Sequence, residues 1–414
     1  MENTATFQLN RSYKSKDIIF GNFFGISAGF FYSLSPLFIF FFTVDPSTAF
    51  IFAFIIAIFQ EFMSWILTVF LYGFEKGIKR FKEKDKLFVI LIFSGIGILI
   101  FAFIYGIIKS IKDLVGNMRY KSSWIMMFVG LLSGPISMAF LMVAIPFLNN
   151  SSELSNSILN TAPIYCLLAA RILFKDKLTN VSLVAILFTT LFTVGMILNY
   201  IFVSDINITN LFIGMALGLA GALLYALEGV VGDYLINTKK VHALTTKELI
   251  TLKGFTGTIL MLVIVTPLAS LIDGQNITFG WNVLGKTFGS KPVEVIMLFL
   301  AGMANAVARV FFYKSVKKTN GTFTLSALLT MLLWTPILQM IGNAFLSDIN
   351  ISAIPWFYWI WATLIFAGLT VLTFSSYIQK YLDSKFKKPI PDIEKKKNKA
   401  VKYNNFILYL CTIY

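Results

Sequence analysis

Ten stretches of about 20 residues, each nearly free of charge, set the limits on what this chain can become. They lie at about 18–43, 50–74, 124–148, 153–174, 180–202, 211–236, 250–272, 293–315, 322–346 and 354–378. A helix of that length crosses the ~30 Å hydrocarbon core of a bilayer. Lipid offers no partner for backbone N–H and C=O groups, so such a stretch must satisfy them internally, as a helix does. Composition agrees, with 57% hydrophobic residues, 13% charged residues and a mean hydropathy of +0.77. The expected class is an all-α polytopic membrane protein. Residues 1–16 are polar and the apolar run after them is too long for a signal-peptide core, so no cleavable leader is expected.

The stretches repeat. GNFFGISAGFFYSLSPLF at 21–38 aligns with GMALGLAGALLYALEGVV at 214–231, placing Gly21 on Gly214, Gly25 on Gly218, Tyr32 on Tyr225 and Ser35 on Glu228, at a constant spacing of 193. Further on, Gly134 falls on Gly302 at a spacing of 168, and Pro163 on Pro336 and Gly195 on Gly368 at 173. The drop from 193 to 168 leaves 25 extra residues in the first half, matching a further apolar stretch at 87–108. The expected plan is ten transmembrane helices as two five-helix repeats, 18–202 and 211–378, with an insertion at 76–122. An odd number of spans per repeat makes the halves inverted about an axis in the membrane plane.

Charge orients the plan. The net charge of +15 sits in loops and in the tail 379–414, which reads as positive-inside topology and attraction to anionic lipid, not as nucleic-acid binding. With both termini cytoplasmic, Lys175, Lys177, Lys239, Lys240, Lys247, Lys314, Lys317 and Lys318 share the inner side, while Asp45, Asp205 and Asp348 lie outside. Both flanks of 87–108 are basic. The segment is therefore expected to enter the membrane as a non-crossing hairpin turning at Ser94–Gly97, with an eleventh span as the alternative.

Few residues can carry chemistry. A carboxylate within a span costs about 2.5–3.5 kcal/mol on insertion scales and so tends to face an interior or a water-filled path. Glu61, near the middle of the second span, is a candidate to take up and release a proton; its bland alternative is a hydrogen bond to a neighbouring helix. Glu228, about five residues (~7–8 Å) to the cytoplasmic side of its span's centre, is expected to pair with Arg309 at similar depth. Tyr32, Tyr225, Ser35 and Asn305 are candidates to line a cavity, and Asn22, Ser33, Gln339 and Asn343 either line a path or bond between helices. Asp233, Lys253 and Arg171 read as residues near span ends that reach the interface. Two cysteines and one histidine, His242, give no disulfide framework, no metal site and no expected cofactor.

The stretch 130–178 resembles the third and fourth helices of EamA-like permeases of the drug/metabolite transporter superfamily, through Gly134-Pro135, Pro163 and the closing Lys175-Asp176-Lys177-Leu178. Residues 311–334 are similar to that family's eighth-to-ninth helix turn, and 221–233 to its sixth helix. The insertion and the basic tail depart from the pattern. The resemblance implies a permease that exports or takes up small metabolites. The expectation is a secondary active transporter for a small polar or amphipathic metabolite, working by alternating access with proton coupling as one option. It would reside in a bacterial inner membrane, and the chain allows a homodimer. No enzyme activity is expected. The alternative is a membrane-embedded protein that does not transport, a lipid-modifying enzyme or a scaffold. No Lys or Arg lies between Thr322 and Tyr377 to meet a phosphate, which disfavours organophosphate and nucleotide-sugar substrates. The absence of a GxxxxGK[ST] loop argues against ATP-driven transport.

Overall fold

Runs of Leu, Ile, Phe, Val and Ala without interior charge propagate as helix wherever caps and prolines permit. A computed structural model describes residues 15–39, 49–82, 96–148, 158–159, 161–174, 179–203, 207–237, 242–289, 291–345 and 356–386. Among them every regular element is a helix. The predicted outer loops with Asp45, Asp205 and Asp348, the loop at Lys175–Lys177, the first part of the 87–108 segment and the tail beyond 386 lie outside the described residues.

In order, the helices are α1 (Ser15–Ile39), α2 (Ala49–Lys82) and α3 (Ile96–Asn117). Next comes α4, which runs from Lys121–Leu131 through a π-turn at Leu132–Ile136 into Ser137–Phe147. Then follow α5 (Ala162–Phe174), α6 (Asn180–Val203) and α7 (Ile208–Asn237). α8 is likewise continuous, from Thr246–Leu260 through a π-turn at Met261–Val265 into Thr266–Ile272. The last are α9 (Phe279–Phe288), α10 (Pro292–Lys318), α11 (Gly321–Leu328), α12 (Met331–Phe345), α13 (Trp356–Thr373) and α14 (Ser375–Phe386). Among the described residues nine helical segments are long and apolar enough to cross a membrane, and α5 supplies a shorter apolar one at Ala162–Ile172.

Local chemistry sets the ends and irregularities. Thr245 and Glu248 close a capping box that starts α8. Pro292 opens α10, where its missing N–H costs nothing. Asn320 caps α11 by accepting from the Phe323 N–H at 2.8 Å. Pro135 cannot donate to the helix ladder, and it lies inside the widened π-turn of α4; the π-turn of α8 comes just before Pro267.

The helices pair in a regular way. α1 packs along α10 and against α11 and α12; α7 packs along α4 and against α5 and α11. α2 lies on α8 and α10, α8 on α4, and α6 on α13. α6 turns Leu187, Phe188, Leu191 and Leu198 outward, each about half exposed, while Thr189 and Thr193 are buried. An apolar outer face of this kind suits lipid and is foreign to a water-soluble surface. One end of the bundle is tied by ions: Lys318 meets Asp17 at 2.8 Å and Lys247 pairs with Glu75. The end of α7 joins there, Asn237 donating to the Val316 carbonyl at 3.2 Å. This is the basic end.

Of the insertion, the structure describes residues 76–82 and 96–122. Ile96 and Gly97, placed at its turn, begin a single helix that runs on to Asn117. The helix does not stop at 108 because the polar residues that follow (Lys109, Ser110, Lys112, Asp113) continue it with one face to protein. Ser110 accepts from Trp65 Nε1 at 3.3 Å, and Lys109 pairs with Asp113 at 2.6 Å. α3 sits directly on α2 through a reciprocal glycine contact: a Cβ at Gly73 would strike the Ala102 backbone, and one at Gly106 the Val69 carbonyl. Its far end is tied to α8 by Asn117, which donates to Glu248 at 3.0 Å.

Candidate functional site

Four charges from four helices meet inside the bundle. The side chains of Glu61 (α2), Glu228 (α7), Lys253 (α8) and Arg309 (α10) are each no more than 5% exposed. Buried charge survives only when paired and hydrogen-bonded, and here each cation meets one carboxylate. Arg309 grips Glu61 with two nitrogens, Nη1 to Oε2 at 2.5 Å and Nη2 to Oε1 at 2.6 Å, and Nη1 donates also to Ser64 Oγ at 3.0 Å. Lys253 Nζ donates to Glu228 Oε2 at 2.5 Å. Ser133 adds a bond to the same oxygen at 3.1 Å, and the Tyr313 hydroxyl donates to Oε1 at 2.7 Å.

The two pairs are neighbours, with Gly134 between them. A Cβ there would collide with Glu61 Oε1 and approach Lys253 Cε to 3.2 Å. A Cβ added at Gly257 would come within 3.0 Å of the Glu61 Cγ, so the carboxylate lies against glycines of both α4 and α8. The π-turn of α4 holds both Ser133 and Gly134, and such widened turns recur at functional sites because they re-aim side chains.

These contacts correct two expectations. Glu228 bonds to Lys253 and not to Arg309, whose guanidinium goes to Glu61. Depth along the chain matched Glu228 with Arg309, but which side chains meet is decided by packing, and α10 lies beside α2. Lys253 does not reach the interface. The capping box starts α8 at Thr246, so Lys253 stands two turns inside and is buried. For Glu61 the contact is the alternative weighed beside proton transfer, a bond to a neighbouring helix: both its oxygens are held by guanidinium nitrogens of Arg309.

The remaining candidates divide. Tyr32 and Tyr225, matched by the repeat, lie close to one another beside the charges of Glu228 and Arg309. Ser35 accepts from Gln60 Nε2 at 3.4 Å, and Ser33 from Thr335 at 3.1 Å. Asn305, one turn from Arg309 on α10, is buried with an Oδ1 that has no partner among the described residues; the same holds for Asn22 Oδ1 and Thr256 Oγ1. Arg171 is exposed, and Asp233 accepts from Asn237 at 2.6 Å. The side chains of Gln339 and Asn343 lie outside the described residues. Sequence reasoning missed Tyr313 and Ser133 as members of the cluster. Neither carries a signal apart from its place on a helix.

No model of a known protein family and no curated protein matches the chain. One solved crystal structure of a protein superposes with a TM-score of 0.51 at 12% sequence identity, over 89% of this chain and 99% of that one. At such identity the likeness is one of fold.

Proposed function

We propose that the chain is a secondary carrier built as two inverted five-helix repeats of EamA-like type, moving a small polar or amphipathic metabolite by alternating access. α5 completes a set of ten crossings, with the basic end cytoplasmic under the positive-inside rule. A bacterial inner membrane is the setting proposed for the chain.

One observation carries this reading: contacts within the bundle recur at the spacing of the repeat. Ser35 and Gln60 touch at 3.4 Å, and the residues 193 positions further on, Glu228 and Lys253, touch at 2.5 Å. Tyr32 and Tyr225, also 193 apart, touch each other, as equivalent residues do beside a two-fold axis. The glycine pairs behave alike. Gly21 lies on Thr319 after α10 and Gly25 on Ala327 of α11, while Gly214 lies on Leu148 after α4 and Gly218 on Ile158 ahead of α5. Carriers hold substrate and coupling ions among charges near the repeat interface, and movement of one packed helix bundle on another exposes them to each side in turn.

The test is untargeted metabolite comparison of cells with and without the gene, followed by flux of the changed metabolite in proteoliposomes. The carrier reading expects one or a few small polar solutes to accumulate or fall, with flux lost in Glu228→Gln. Identical metabolite profiles, or flux indifferent to Glu228, would refute it.

A further inference from the structure

The two repeat-related contacts sit at opposite depths. Glu228 is nine residues before the end of α7 and Lys253 seven after the start of α8, both counted from the basic end, so about 10–14 Å inside it. Ser35 is four residues before the end of α1 and Gln60 eleven after the start of α2, both counted from the opposite end. Tyr32 and Tyr225 stand one helical turn deeper than Ser35 and Glu228, between the two layers. All four contact residues are no more than 5% exposed, so both layers are closed in this structure.

The layers match in position and differ in chemistry. The one toward the opposite end is a single neutral hydrogen bond at 3.4 Å. The one toward the basic end is an ion pair at 2.5 Å, braced by Tyr313 and Ser133. Charge-assisted hydrogen bonds are roughly twice as strong as neutral ones. Were the two layers equal, an inverted repeat would open to either side with the same ease; the substitution of Glu228 and Lys253 for serine and glutamine removes that equality.

We propose that Gln60–Ser35 and Lys253–Glu228 are the two gates of the carrier, and that the charged gate is the firmer. The protein then rests open, or opens more often, toward the end away from its basic face, and substrate must part or re-pair Lys253 and Glu228 to pass the basic end. The proposal rests on the carrier reading above.

The experiment reads which side reaches the space between the layers. Tyr225→Cys, in a background with Cys166 and Cys411 replaced by alanine, is labelled with a membrane-impermeant maleimide in vesicles of each orientation. The parent is expected to react at least about fivefold faster from the opposite end than from the basic end. Glu228→Ser with Lys253→Gln makes the basic-end layer a copy of the other and should bring the two rates within about twofold. Adding Ser35→Glu and Gln60→Lys to that variant should reverse the ratio. The exchanged pair Glu228→Lys with Lys253→Glu retains the interaction and should retain the parent ratio, which separates loss of the gate from loss of fold. A ratio unmoved by the serine–glutamine variant overturns the proposal, as does an exchanged pair that behaves like the neutral one, while leaving flux and the carrier reading standing. Absence of labelling from both sides in every variant, together with unchanged metabolite profiles, removes the carrier reading and the gates with it.

Discussion

Glu61→Gln strands a guanidinium in the interior. The substituted amide has the shape of the carboxylate, yet its oxygen can accept only one of the two bonds now made at 2.5 and 2.6 Å. Its NH2 group meets the other guanidinium nitrogen donor to donor. Arg309 keeps the bond to Ser64 at 3.0 Å but has no counter-charge, and its side chain is only 5% exposed. Removing one partner of a buried pair costs about 3–5 kcal/mol, because the survivor remains charged and unpaired. Arg309→Gln should cost a similar amount for the mirror reason. The double variant leaves two amides that can bond to one another, so its cost should fall below that of either single change, giving a coupling of at least ~2 kcal/mol. Thermal unfolding in lipid nanodiscs of fixed composition, followed through the chain's seven tryptophans, measures all four corners of the cycle. Lys318→Ala provides the scale for an exposed pair: Lys318 and Asp17 are 45% and 36% exposed, and such pairs are worth less than about 1 kcal/mol. Additivity of Glu61→Gln and Arg309→Gln within ~0.5 kcal/mol would refute the pairing.

Three further outcomes follow from contacts. Gly134→Ala puts a methyl where Glu61 Oε1 lies, so unfolding should come earlier by about 1–3 kcal/mol and flux should drop; a variant indistinguishable from the parent would show that the packing there is loose. Gly106→Leu should lever α3 off α2 at the Val69 carbonyl, with a loss of similar size in the same unfolding assay and none if α3 is not seated there. Tyr313→Phe removes one donor to Glu228 and should destabilise by about 1.5–3 kcal/mol, whereas Thr363→Val, whose exposed hydroxyl bonds only within its own helix, should be nearly silent.

Hydropathy made the helices legible because one property, length of apolar run, decides whether a segment can cross lipid. It failed for α9 (Phe279–Phe288), whose ten residues are too short to span and which packs on α8 through Trp281, donating to the Leu262 carbonyl at 2.8 Å. It also failed for α3, since a helix with one polar face against protein outlasts its apolar core. Within the site, sequence gave the depth of each charge along its own axis and nothing about rotation or neighbours. Glu61, Glu228 and Arg309 were therefore recognisable as buried, and their partners were not. Lys253 was within reach. Thr245-x-x-Glu248 is a capping box in the sequence and moves the start of α8 far enough to bury it. The spacing that sets Ser35 on Glu228 sets Gln60 on Lys253 as well.

The two ion pairs are built from different cations, and the difference bears on what each can do. Arg309 spreads its charge over a planar fork that matches both oxygens of Glu61, and a guanidinium does not give up its proton in a protein. Such a pair fixes α10 to α2 in one geometry. Lys253 presents a single rotatable ammonium at the end of a flexible stem, and lysines of this kind can exchange partners or lose a proton when buried. Its Cε lies against Gly134, the residue that also touches Glu61 Oε1, so a second carboxylate stands close to the first. A carrier needs a seam that holds its halves in register and a contact that can break. On the carrier reading proposed above, the guanidinium pair has the properties of the former and the ammonium pair those of the latter. Lys253→Arg should then keep the pair, preserve or raise stability, and slow flux by making the breakable contact rigid; flux equal to the parent would remove the distinction.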